Sequence, residues 1–191
     1  GIGGSATNDA GTGMAEALGV RFYDSEGVPL KRGGGSLKDL SHIDYSGLDP
    51  RIKEAEITVL CDVNNPLCGP MGASYIYGPQ KGATSPIIAV LDKNLAHLAD
   101  IVKASSGIDA KDVPGAGAAG GLGYGLICFT GAKMIRGIDA ILGISDFDEE
   151  IKTADVVVTG EGKLDPQSMR GKVILGVLER SEKAGVPVIA I

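Results

Sequence analysis

The chain has 191 residues, with 18 Lys plus Arg against 24 Asp plus Glu and a formal net charge of −6; its basic residues are scattered, which argues against binding to a nucleic-acid backbone. Glycine is abundant at 30 residues but follows no three-residue period, and 43% hydrophobic with 22% charged residues excludes both collagen and disorder. No apolar stretch approaches the ~18–20 residues of a membrane helix, and no charged-then-apolar leader opens the chain; a soluble, cytoplasmic protein with no nucleic-acid or membrane partner is expected. Cys61, Cys68 and Cys128 match neither a zinc knuckle nor a secreted disulfide framework and are expected to be reduced thiols. Because the chain opens at Gly1 inside a glycine-rich loop and stops in an apolar run, it is expected to be a fragment.

In chain order, Ala6, Ala10, Met14, Ala17 and Leu18 fall at three- and four-residue spacings and predict a helix over Ser5–Leu18, ended by Gly19. Residues 20–50 are rich in Gly, Ser, Asp and Pro and predict only short pieces. Ile57–Val63 reads as a buried strand that delivers Asp62, Asn64 and Asn65 to its end. Ser74–Tyr77 is ambiguous. Leu91, Leu95, Leu98, Ile101 and Val102 form a helical stripe closing at Gly107, and residues 115–137 read as a Gly/Ala-rich, closely packed helix. Ile138–Ile144 is expected as a short strand and Asp148–Ala154 as a short helix. Asp155–Thr159, Ser168–Lys183 and Val186–Ile191 then give strand, helix and strand, a βαβ unit implying a parallel sheet.

Four segments carry candidate chemistry. Gly1-Ile2-Gly3-Gly4-Ser5-Ala6-Thr7-Asn8-Asp9 could hold an anion through converging N–H groups, with Ser5, Thr7 and Asn8 adding side-chain hydrogen bonds; the plainer reading is a turn with Ser5 or Thr7 capping the helix. Asp62, Asn64 and Asn65 offer hard oxygen ligands at a strand end, and Lys81, between glycines, could meet a phosphate or be a solvated surface lysine. Gly115-Ala116-Gly117-Ala118-Ala119-Gly120 matches the G-x-G-x-x-G dinucleotide fingerprint, but no strand leads into it, so close packing is the better account. Glu161 and Asp165, with Lys163, Ser168 and Lys172, flank a strand–helix junction within reach of Mg²⁺ or a substrate hydroxyl. His42 and His97 carry no such pattern.

Taken in order, residues 1–9, 61–70 with 78–83, 114–123 and 159–165 resemble the bacterial glycerate kinase family of the glycerate 2-kinase type; Ala10 and Lys163 stand where glycine and arginine are expected. The resemblance implies an α/β enzyme that moves the γ-phosphoryl group of ATP to a glycerate hydroxyl with Mg²⁺. It also implies an inserted α/β domain, residues 1–150, and part of a flavodoxin- or Rossmann-like parallel-sheet domain, residues 151–191. On this basis Gly3, Gly4, Ser5, Thr7, Asn8, Asn64, Asn65 and Lys172 are expected to bind substrate or phosphate. Asp9, Lys81 and Asp165 are expected to be catalytic, with Asp9 as base, and Asp62 and Glu161 to hold the metal. Homo-oligomerisation stays open, as does the choice between 2- and 3-phosphoglycerate. A non-catalytic anion-binding module and a nicotinamide-dependent oxidoreductase are the alternatives.

Overall fold

In the computed structural model, which describes residues 1–160 and 173–191, the opening helix is much shorter than its periodicity predicts. Helix α1 covers only Thr12–Ala17, because Gly4, Ala10 and Gly11 have positive φ of 60°, 53° and 74° and interrupt any right-handed helix before it. Gly19, at φ 108°, turns the chain into β1, Arg21–Tyr23, which pairs antiparallel with β2, His42–Asp44, in the register Phe22 to Ile43. Phe22 and Ile43 are buried and their neighbours are not, the alternation of a half-covered ribbon.

The strand expected at 57–63 is the short β3, Thr58–Leu60, and the ambiguous stretch after it is helical, α2, Ala73–Tyr77. Helix α3, Ser85–Ser106, starts one and a half turns before its apolar stripe, where Pro86 stands in the first turn, and stops at Gly107 with φ 77°. Its inner face carries Ile88, Leu95, Leu98, Ala99 and Val102, all buried.

Helix α4, Ala118–Thr130, begins abnormally: Ala119, Gly120 and Gly121 have φ of 53°, 71° and 87°, a left-handed turn placed ahead of the right-handed helix. Gly131 ends it at φ 69°, and β4, Lys133–Ile135, follows where continued helix is expected; Lys133 N–H donates to the Ile57 carbonyl beside β3.

The strand expected at Ile138–Ile144 is instead a helix, α5, Gly137–Ile144. Ile138 and Leu142 are buried four residues apart while Ile141 and Ile144 are exposed, so an apolar run of strand length hides helical periodicity. Helix α6, Phe147–Glu150, and a 3₁₀ turn at Ile151–Thr153 lead to β5, Val157–Thr159. Helix α7, Val173–Ala184, and β6, Val188–Ala190, complete the described chain, and β5 pairs parallel with β6 as the βαβ order requires.

The result is a mixed α/β chain in two compact units, Gly1–Met134 and Ile135–Ile191. The first packs around Val20, Leu67, Leu95, Leu98, Val102 and Tyr124, each essentially inaccessible to solvent. The second is built on Ile138, Leu142 and Val177, with Phe147, Val157 and Val188 against them. Among the described residues no helix is long and apolar enough to cross a membrane. All three cysteines are free thiols; burial pushes Cys68 up to about 12 and Cys128 up to about 11.

Candidate functional site

The site is built on the irregular stretch before α1. No N–H from Gly3 to Asp9 donates to a backbone carbonyl among the described residues, so this loop keeps a row of donors for another partner. Gly3 and Gly4 are exposed, and a Cβ on either would meet nothing within 4 Å. Neither Ser5 nor Thr7 caps the helix. Asp9 does so instead: its Oδ1 accepts from Gly11 N–H at 3.1 Å and its Oδ2 from Gly13 N–H at 3.1 Å. The carboxylate therefore faces the positive end of α1, which favours its charged form beside the loop.

Lys81 lies in the 3₁₀ turn Pro79–Lys81 and is not a solvated surface lysine. Its Nζ donates to the Thr7 carbonyl at 2.6 Å and to the Ser5 hydroxyl at 2.9 Å, joining positions more than seventy residues apart in sequence. Partial burial lowers its pKa, and the Asp9 carboxylate acts in the opposite direction. From α2, the fully buried Ser74 accepts from Asn8 Nδ2 at 2.9 Å, while Asn8 Oδ1 is buried with no hydrogen-bond partner among the described residues. Ser74 carries no motif; only its place between two candidate segments could have drawn attention to it.

The Asp62–Asn65 segment divides. Asn65 is structural in its contacts: its Nδ2 donates to the Met71 carbonyl at 2.7 Å, and its Oδ1 accepts from the Tyr77 hydroxyl at 2.6 Å. Asp62 and Asn64 are exposed.

Residues 115–121 meet both loops. Gly117 N–H donates to the Asn65 carbonyl at 2.9 Å, and a Cβ on Gly117 would overlap the Pro66 carbonyl. The Gly120 carbonyl accepts from Ala10 N–H at 3.1 Å, and a Cβ there would overlap the Thr7 carbonyl oxygen. These glycines are buried against the chain's own backbone, so their spacing reflects packing and leaves no cradle for a dinucleotide. Glu161, Asp165 and Lys172, with Lys163 and Ser168, lie outside the described residues.

The loop 3–9, Lys81, Asn8 with Ser74, and the left-handed turn thus gather in the first unit as a row of donors beside one half-buried ammonium. A family model described as "Glycerate kinase family" matches residues 1–191. The chain belongs to the glycerate kinase family. It is 52% identical to a glycerate kinase of Halalkalibacterium halodurans and 51% identical to a glycerate 2-kinase of Escherichia coli, over 100% of this chain and 50% of each relative. A crystal structure from Salmonella typhimurium LT2, described provisionally as glycerate kinase 2, is similar with a TM-score of 0.87 at 45% identity, over 100% of this chain and 51% of that one. The chain spans about half the length of the curated relatives it matches.

The N–H row, without backbone acceptors among the described residues, and Lys81 together have the chemistry of an anion site. A divalent cation is a different matter. Among the described residues no three or more His, Cys, Asp or Glu side chains gather closely enough to hold one. The described part of this glycerate kinase family chain does not by itself form a Mg²⁺ site.

Proposed function

We propose that this chain is part of an ATP-dependent glycerate kinase, an enzyme that transfers the γ-phosphoryl group of ATP to a hydroxyl of D-glycerate to give 2-phosphoglycerate or 3-phosphoglycerate. The observation that carries the reading is the meeting of the N–H row at Gly3–Asp9, which has no backbone acceptor among the described residues, with the Lys81 ammonium. Phosphoryl transfer depends on charge neutralisation and in-line positioning more than on covalent chemistry, and these groups supply the first.

In this reading Gly3, Gly4, Ser5, Thr7 and Asn8 hold the glycerate carboxylate or a phosphate, and Lys81 offsets its charge. The third N–H of Lys81, beyond those given to Ser5 and Thr7, is the one directed to the anion. Asp9 accepts the proton of the attacking hydroxyl, while Asn64 and Asn65 line the neighbouring loop. Asp165 is the further catalytic residue of this reading and Lys172 a further phosphate ligand, and Asp62 and Glu161 are the candidate Mg²⁺ ligands. The parallel β5–β6 pair fits a flavodoxin- or Rossmann-like domain beginning near residue 151, with the preceding residues as an inserted α/β domain. The protein works in the cytoplasm.

The test is an assay of ATP-dependent glycerate phosphorylation by the full-length protein and by the 191-residue chain, with ³¹P NMR of the product. Phosphorylation by the full-length protein supports the reading, and the ³¹P shift separates the 2- and 3-phosphates. Anion binding without turnover by the full-length protein would overturn it in favour of a non-catalytic module.

A further inference from the structure

The motif at 115–120 is left over once a dinucleotide is set aside, and its glycines are not equivalent. Ala119 and Gly120 share a left-handed backbone, φ 53° and 71°, yet the first is alanine. Left-handed φ alone therefore does not demand glycine in this turn. What distinguishes Gly120 is space: a Cβ would overlap the Thr7 carbonyl oxygen and stand 2.9 Å from Lys81 Nζ. Both atoms belong to the contact by which Lys81 is held, since Nζ donates to that same carbonyl. Gly121 continues the close approach, with a Cβ there 2.7 Å from Ala10 Cα.

We propose that Gly120 is a positioning residue for the candidate anion site, its missing side chain being the gap through which the Lys81 ammonium reaches Thr7 and Ser5. Its effect on substrate rests on the anion-binding reading of Lys81 given above; its effect on Lys81 does not. Any side chain at this position pushes loop 3–9 off the turn and releases the ammonium. The left-handed turn at the head of α4 thereby sets where the site's one placed cation stands among the described residues.

The experiment compares Gly120→Ala with Gly131→Ala in the full-length protein. Gly131 also has positive φ, 69°, but a Cβ there meets nothing within 4 Å, so it carries the backbone strain without the collision. Acetylation of Lys81 relative to the exposed Lys53, read by mass spectrometry, reports its seating without any turnover, and inorganic phosphate is the probe of anion affinity. Expected are a several-fold rise in Lys81 labelling in G120A and a roughly ten- to hundredfold loss of phosphate affinity, the worth of a charge-assisted hydrogen bond. G131A should match wild type in both, and Lys81→Ala with Gly120→Ala should bind phosphate no more weakly than Lys81→Ala alone.

Wild-type labelling of Lys81 in G120A, an equal rise in G131A, or additive losses in the double variant would overturn the proposal. So would a G120A protein that cannot fold where G131A does, because Gly120 would then serve the whole turn and not Lys81. Wild-type protein that binds no phosphate would count against the anion reading alone, and the labelling ratio would still decide the position of Lys81.

Discussion

Asp9 has two tasks that its geometry allows to be separated. Its oxygens accept from Gly11 and Gly13, so Asp9→Asn keeps an acceptor at the helix start but removes the charge that faces it. The expected stability cost is about 0.5–1 kcal/mol by thermal or urea unfolding. Turnover of the full-length enzyme should fall by orders of magnitude if Asp9 is the base; turnover near wild type would leave it only the helix. Lys81 offers a pH test. Burial holds its pKa below the ordinary lysine value of 10.5, so the ammonium is lost earlier than on an exposed lysine as pH rises. Phosphate affinity should accordingly decline at a pH below 10.5, whereas Lys81→Arg keeps its charge and its affinity flat over that range. The stability contribution has the opposite sense: between the folded and unfolded pKa values the unfolded chain binds more protons, so this group's share of stability rises with pH. Lys81 was legible in the sequence as a candidate because it stands between glycines. Its partners were not, since Ser5 and Thr7 are brought to it only by tertiary packing.

Where elements differ from what their sequence predicts, one cause recurs: apolar spacing records which face is buried and carries little about the backbone that delivers it. The stripe at Leu95, Leu98 and Val102 predicts a helix because it runs long enough for its period to be counted. Ile138–Ile144 is too short for that, and its β-branched residues mimic a strand while Arg136 and Asp139 pair across one turn at 2.6 Å, as a helix start allows. The premature start predicted for α1 failed because alanine at position 10 takes φ 53°, a conformation that residue type rarely signals. Glycine at 143, inside α5, supplies a prediction of its own. A Cβ there meets nothing within 4 Å and the last turn gains from losing glycine's freedom, so Gly143→Ala should stabilise by up to about 0.5 kcal/mol in a urea titration. Gly117→Ala should do the reverse by a larger margin, because its new methyl overlaps the Pro66 carbonyl and disturbs the Asn65–Pro66 segment packed against it.

For the chain as a whole, the two hydrophobic clusters share no buried residue among those described, and each can be tested by itself. Leu98 is fully buried in the first and Val177 is 6% exposed in the second. Truncating Leu98 to alanine removes apolar contacts and leaves a cavity, at a cost of about 2–5 kcal/mol, and Val177→Ala should cost less because fewer carbon atoms are lost. Residues that share no partner do not sense each other's cavities, so the double variant should equal the sum within about 0.5 kcal/mol, measured by hydrogen exchange at amides of each core. The same separation predicts where the damage is felt: Leu98→Ala should raise exchange along α3 and α4 and leave the amides of α5 and α7 protected, and Val177→Ala should do the converse. A coupling well above 0.5 kcal/mol, or loss of protection spreading evenly over both units, would mean that the two cores unfold together as one cooperative transition, and additivity would fail for that reason.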